Sequence, residues 1–272
     1  MLAKCFGKKT YFTGGIDSLD SDYASAFNYK IQALFFKLCY WVADSCIIVS
    51  QSDLKNIFKV SSLKKKLSYS EHVINTKLFI ADVPKEKIFT SIVWMGDEGN
   101  VVRKGVDKAL QIFAELKKIP EFVDYRFVII GRKGEGEVLV RSIIDKYNLK
   151  GSVELKGEVS EEDKINLLKQ SKYYFQLSLY EGFGLAALEA LCANNIIIHS
   201  GKGGLANPIY KEQLLFDIDN DFDSELLKLV NKLACFTPIT SYDNLLEYYD
   251  IQRRKDDFEA IIVNGKSNYK LK

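Results

Sequence analysis

The chain has 272 residues, 47% hydrophobic and 27% charged, with 38 Lys and Arg against 36 Asp and Glu for a formal net charge of +2. That apolar share suffices for a packed core and excludes a wholly disordered chain, while the near balance of charge leaves no global electrostatic case for a nucleic acid partner. The five cysteines form no C-x-x-C pair and the histidines are only two, His72 and His199, which argues against a zinc site or disulfide scaffold and for a reducing, cytoplasmic setting.

From Met1 to about Asp82 the chain has one character. The opening MLAKCFGKKTYF lacks the continuous apolar core of a signal peptide. Ser21 to Val42 reads as a long amphipathic helix with Ala26, Tyr29, Leu34, Leu38 and Trp41 among its apolar positions. Lys30, Lys37 and Asp44 interrupt the hydrophobic stretch from Tyr29 to Ser50, so it is too broken to span a bilayer. CIIV (46–49) is a short buried strand, SQSDLKNIF starts a helix, Lys64-Lys65-Lys66 is a solvated loop, and ADVPKEK (81–87) is a linker.

After Lys87 the rhythm becomes a regular alternation. Apolar strands are expected at 88–94, 125–130, 152–156, 173–178 and 195–199, with amphipathic helices at about 104–118, 135–148, 160–171 and 184–193. β-Branched runs without strict alternation, separated by helices, signal a parallel sheet covered on both faces. The expected fold is therefore α/β, a doubly wound, Rossmann-like sheet whose ligand crevice lies at the carboxyl ends of its strands. From Phe216 the tail is helical and polar-rich. The expected organisation is a partial N-terminal region (1–82), a nucleotide-binding domain (83–245) and a C-terminal helical tail (246–272).

The stretch LYEGFGLAALEALCANN, Leu179 to Asn195, places two glutamates eight residues apart. Gly182-Phe183-Gly184 reads as a tight turn from strand into helix, where backbone N–H groups can approach a ligand and favour an anion. At about 100° per residue, Leu185, Leu188, Leu191 and Cys192 form an apolar stripe, with Glu189 on its edge and alanines elsewhere. An ionised carboxylate there needs partners. Two adjacent hydroxyls, as on a ribose, would satisfy both oxygens; a lysine or backbone N–H groups within the protein would serve as well.

On these residues the chain resembles the retaining glycosyltransferases of the GT-B fold, in particular the large family 4 group. EGFGLAALEA is similar to that family's E-x7-E signature, and the stretch from GRKGEGEVLVRSIIDKYNLKGSVELKGEVSEEDK through to ALEAL follows its pattern. WMGDEGNVVRKGVDKALQIFAEL resembles the loop and helix that open its donor domain. ADSCIIVSQSDLKNI and EHVINTKLF resemble the end of its N-terminal domain, so the likeness covers roughly residues 40 to 210. The resemblance implies that Glu181 contacts hydroxyls of the donor sugar and that Glu189 binds the ribose. It implies that the backbone of Gly182, Phe183, Gly184 and Leu185 lies against sugar and diphosphate. Lys104, supported by Arg103, would neutralise the leaving diphosphate. As a plain solvated helix start that pair would be oddly placed, since cations oppose the macrodipole at a helix N-terminus. Gly131, Arg132, Gly157 and Val159 would line the nucleobase end, although a glycine after a parallel strand is often only a turn.

The resemblance further implies a nucleoside diphosphate sugar as donor, no metal or other cofactor, and a carbohydrate or lipid-linked acceptor. Departures from the pattern are Asp97 where the family usually has arginine, Asn194-Asn195 in place of a small-glycine turn, and Asn207 at an often acidic position. About 80 residues are too few for a complete acceptor lobe. A partner chain completing that lobe is one expectation. Peripheral contact at the inner face of a membrane through the 21–42 helix is another, and a core role for that helix is the third.

Overall fold

The computed structural model describes residues 6–13, 26–50, 66–80, 83–236 and 243–264, which fall into two units. The expected helix start at SQSDLKNIF lies almost wholly outside the described residues. So do Ser21–Ser25, Lys64, Lys65 and the first two residues of the 81–87 segment.

The first unit holds β1 (Tyr11–Thr13), α1 (Ala26–Val42), β2 (Ser45–Ile48) and β3 (Leu67–Tyr69). Its strands are all parallel, in the order β1-β2-β3, with Phe12 opposite Cys46 and Ile47 opposite Ser68. Ala33 and Phe36 turn one side of α1 into a small core with Cys46, Ile48 and Tyr69. The other side is not core. Ile31, Leu34, Phe35, Leu38 and Trp41, spaced as one helical stripe, are exposed. The helix Ile251–Asn264 belongs to this unit and is stitched to it by buried polar contacts. Asp257 Oδ2 accepts from Ser70 Oγ at 3.0 Å and from Arg253 Nη1 at 3.0 Å, which compensates a carboxylate that is almost wholly buried.

The second unit is the expected doubly wound sheet. Its elements in chain order begin with β4 (Glu86–Ile92), α2 (Glu98–Arg103), α3 (Val106–Leu116), β5 (Arg126–Ile130), α4 (Gly136–Lys146) and β6 (Val153–Gly157). They continue with α5 (Glu161–Gln170), β7 (Ser171–Gln176), α6 (Leu185–Cys192), β8 (Ile196–His199), β9 (Leu214–Leu215) and α7 (Phe222–Cys235). All six strands are parallel, in the order β6-β5-β4-β7-β8-β9. The strands are apolar on both faces because helices cover both. Phe89, Phe127, Ile129, Phe175 and Ile198 meet Leu110 and Phe113 of α3 on one side, while Ile88, Val128 and Ile130 meet Leu167 of α5 on the other. Phe89 stacks on Tyr173 at 4.6 Å and on Phe175 at 5.0 Å, fixing the central β4–β7 pair. Chain progression reverses between β4 and β7, so the crevice of a doubly wound sheet opens at the carboxyl ends of those two strands.

The five strands expected in this region occur with ends shifted by at most two residues. The helix expected at about 104–118 occurs as α3, Val106–Leu116; a short helix that the sequence did not announce, α2, precedes it across Gly105, whose φ is +68°. Such a backbone favours glycine, which carries no Cβ penalty there, and here space demands it too. A Cβ on Gly105 would lie 2.0 Å from the Leu177 carbonyl oxygen, and one on Gly131 (φ +134°) would lie 1.9 Å from that of Val93. Gly151 has an equally strained φ of +85° but opens onto free space.

These three glycines separate strain from crowding. Gly151→Ala should cost only the left-handed penalty of about 1–2 kcal/mol. Gly105→Ala and Gly131→Ala should each cost more than about 3 kcal/mol, because a backbone carbonyl must also move. Thermal unfolding of the three variants checks the order, and equal losses would contradict it.

Candidate functional site

At the switch point the loop after β4 and the turn between α2 and α3 are built as one piece. Asp97 caps α2, its Oδ1 accepting the Asn100 N–H at 2.6 Å. Asn100 Nδ2 donates to the Trp94 carbonyl, and Arg103 donates to Asn100 Oδ1. Asp97 therefore has a local purpose as a helix cap, which accounts for a carboxylate at this position. Lys104 is the C-cap of α2. The expectation that Arg103 and Lys104 begin a helix is thereby corrected. They end one, where cations favour the macrodipole, because Gly105 breaks the chain after them.

That turn is held against the loop after β7. Leu179 N–H donates to the Arg103 carbonyl at 2.8 Å, two residues beyond the Leu177 carbonyl that crowds Gly105. Behind the loop, Gln176 Nε2 donates to Ser178 Oγ at 2.8 Å and Ser200 Oγ donates to the Ser178 carbonyl at 2.6 Å. Gln176, Ser178 and Ser200 are all buried, so the network fixes the strand ends rather than the surface.

The glycine turn continues into α6. Gly184, at φ +86°, is the N-cap and, as a glycine, supplies no side-chain cap of its own to the first N–H groups of the helix. Tyr210 reaches the Gly184 carbonyl through its hydroxyl at 3.4 Å and packs its ring on His199 at 5.6 Å. Within α6, Ala187, Leu188, Ala190, Leu191 and Cys192 are buried as expected, but Leu185 is exposed. The apolar stripe thus starts one turn later than its periodicity suggests, because the first turn forms the rim of the sheet's carboxyl edge.

Glu189 sits one turn into that buried helix and is 16% exposed. Its Oε1 accepts from Lys164 Nζ at 2.9 Å, and the same ammonium lies 2.8 Å from Glu161. Of the two solutions open to Glu189 from sequence, a lysine partner is present. Burial raises the Glu189 pKa, opposed by the Lys164 hydrogen bond and charge. Lys164 came unannounced in the sequence: it lies 25 residues away and looks like one lysine among the acids of SEEDK.

The nucleobase-end candidates line the neighbouring strand ends. Gly131 donates its N–H to the Gly157 carbonyl at 2.9 Å, and the Arg132 carbonyl accepts from Met95 at 2.9 Å. These bonds, with Val93 N–H to the Ile130 carbonyl, extend the β4, β5 and β6 ladders into their loops. Arg132 is exposed and Val159 half-buried on this rim. Gly131, Arg132, Gly157, Val159, Arg103, Lys104, Gly184, Leu185 and Glu189 thus all belong to the second unit. Glu181, Gly182 and Phe183 belong to the first, where the Phe183 ring packs edge-on to His72 at 5.3 Å and against Tyr249 at 6.2 Å.

Comparison with known proteins bears on the family and the fold. The profile of the family described as Glycosyl transferases group 1 matches residues 99–234. A GDP-mannose:cellobiosyl-diphosphopolyprenol alpha-mannosyltransferase of Xanthomonas oryzae pv. oryzae is 32% identical over 163 residues, 52% of this chain and 40% of that protein. The phosphatidylinositol N-acetylglucosaminyltransferase GPI3 subunit of Saccharomyces cerevisiae is 27% identical over 129 residues, 47% of this chain and 28% of that one. The chain therefore spans less than half the length of either relative. In fold, it matches Anabaena Alr3699/HepE in complex with UDP-glucose with a TM-score of 0.76 at 12% identity, over 96% of this chain and 74% of that chain.

His199, buried at the end of β8, gives the second unit a pH signature. Burial draws its pKa down to about 4. The unfolded chain takes up a proton near 6.5 that the folded chain refuses, so stability falls as pH drops from about 6.5 toward 4, by about 3 kcal/mol at full effect. Denaturant titrations of the wild type and His199→Gln across this range check it. The variant should lose that part of the slope and keep the part due to His72, whose pKa burial and the Arg254 charge likewise draw down to about 4.

Proposed function

The chain belongs to the group 1 glycosyl transferases, and from that premise we propose that it is a retaining transferase moving a sugar from a nucleoside diphosphate to a hydroxyl acceptor. The observation that carries the reading is the juxtaposition at the β4–β7 switch point. There a cationic turn, Arg103-Lys104, is bonded through its backbone to the loop after β7, which leads toward the glycine turn and the Glu189 helix. Glu189 is assigned to the two ribose hydroxyls, and the first N–H groups of α6, with Lys104 and Arg103, to the diphosphate. Glu181 is assigned to the hydroxyls of the donor sugar, and the rim of Gly131, Arg132, Gly157 and Val159 to the nucleobase.

In this reading the bond between the anomeric carbon and the diphosphate oxygen breaks while the acceptor oxygen bonds to the same face. The acceptor proton passes to the departing diphosphate, so no side chain is assigned as general base. The negative charge that grows on the diphosphate is what Lys104 stabilises. The names of both relatives specify acceptors built on lipids, a polyprenol and phosphatidylinositol. That supports a lipid-linked or polysaccharide acceptor for this chain. Among the described residues no helix is long and apolar enough to cross a membrane.

One observation favours a second reading, a non-catalytic chain that binds a nucleotide sugar and works with a partner. The exposed stripe on α1, with Leu34, Phe35 and Trp41 each more than half exposed, is more apolar than a solvated helix face needs to be.

The two readings separate on turnover. Incubated with UDP-glucose or GDP-mannose, the transferase should release the nucleoside diphosphate, by transfer or slow hydrolysis. Lys104→Met should lower that rate about a hundredfold while changing the donor KM less. Binding without any release, in wild type and variant alike, would favour the non-catalytic reading.

A further inference from the structure

Glu189 is held by one oxygen only. Lys164 Nζ engages Oε1 at 2.9 Å, and among the described residues no hydrogen bond falls to Oε2. The lysine is itself braced. It sits in the first half of α5, is 16% exposed, and makes a second ion pair at 2.8 Å with Glu161, which is largely solvated. Helices α5 and α6 are further fastened at their C-terminal ends. Lys85 Nζ donates to the Lys169 carbonyl at 2.8 Å and the Ala193 carbonyl at 2.6 Å, and Asn195 Nδ2 donates to the Leu168 carbonyl at 2.9 Å. The distance between Lys164 and Glu189 is therefore set by the packing of two helices rather than by two long side chains meeting at a surface.

We infer that Lys164 is a positioning residue for the nucleoside end of the donor, holding Glu189 ionised and oriented so that its second oxygen is presented to the ribose hydroxyls. The inference rests on the donor-site reading above and adds a residue to it. A carboxylate accepts from two hydroxyls only while it is charged, and burial works against the charge. The charged groups acting on Glu189 are Lys164 and Glu161, both from α5. The neighbouring Cys192 thiol is pushed by burial up to about 12 and stays neutral. Among the described residues Lys164 is thus the cation that offsets desolvation, with Glu161 acting in the opposite sense. An exposed ion pair would contribute little here, whereas a half-buried one with fixed geometry controls the protonation of its partner.

The test is isothermal titration of the chain with UDP and with GDP from pH 5.5 to 8.5, for wild type, Lys164→Met, Lys164→Arg and Glu189→Gln, with 2′,3′-dideoxy-UDP as the control ligand. Wild type should bind its preferred nucleotide with little pH dependence and lose at least tenfold with the dideoxy ligand. Lys164→Met should bind at least tenfold more weakly at pH 6 and recover as pH rises and Glu189 ionises. Lys164→Arg should stay within about threefold of wild type, and Glu189→Gln should be weak and flat at every pH. Lys164→Gln, which keeps a polar group of similar reach, replaces the methionine variant if that one does not fold. Wild-type affinity and pH profile in the folded methionine or glutamine variant would overturn the inference while leaving the donor site standing. Failure of the folded wild type to bind either nucleotide would overturn the donor site, and the inference with it.

Discussion

Two backbone carbonyls, those of Val93 and Leu177, govern the carboxyl edge of the larger sheet. Each approaches another segment so closely that no side chain fits between them, and glycine stands opposite both, at 131 and 105. The consequence at Gly131 is that the loops after β4 and β5 run on as a continuation of the ladder, with Met95 bonded to Arg132 and Gly131 to Gly157. The consequence at Gly105 is that a helix must stop there, which places Arg103 and Lys104 at a C-terminus beside the β7 loop. Close backbone approach thus decides where the positive charges lie.

The electrostatics then follow from burial. Lys104 and Arg103 stand at a helix end that favours cations, so their charge needs no separate compensation. Glu189 stands in a helix whose neighbours are apolar and requires a partner, which α5 supplies in Lys164. The same sheet supports both, since α5 and α6 are pinned to one another below β4 and β7 by Lys85 and Asn195. A site of this kind is positioned by rigid elements and their junctions, with loops short enough to add little freedom.

The second unit was largely legible in the sequence. Its strands are runs such as RFVII and IIIH that leave no doubt about burial, and its helices carry clear periodicity. Helix α3 was legible from its periodicity, but the short α2 before it and the break at Gly105 were not, since only the tertiary approach of Leu177 requires glycine at that turn. The role of Asp97 was hidden for the converse reason: a short cap reads as a departure until Asn100 is seen to need it. Glu189 announced itself as a buried carboxylate, whereas Lys164 did not, since pairing between two helices 25 residues apart leaves no local pattern. The edge strands β1, β3 and β9, two or three residues each, are too short to carry one either.

The central claim is that a nucleoside diphosphate sugar binds at the carboxyl ends of β4 and β7. Hydrogen–deuterium exchange with and without UDP-glucose or GDP-mannose tests it most directly. Slowed exchange should appear in residues 101–106, 131–133, 177–180 and the first two turns of α6, with β9 and α7 unchanged. Unchanged exchange in those segments at saturating nucleotide sugar, or protection confined to β9 and α7, would contradict it.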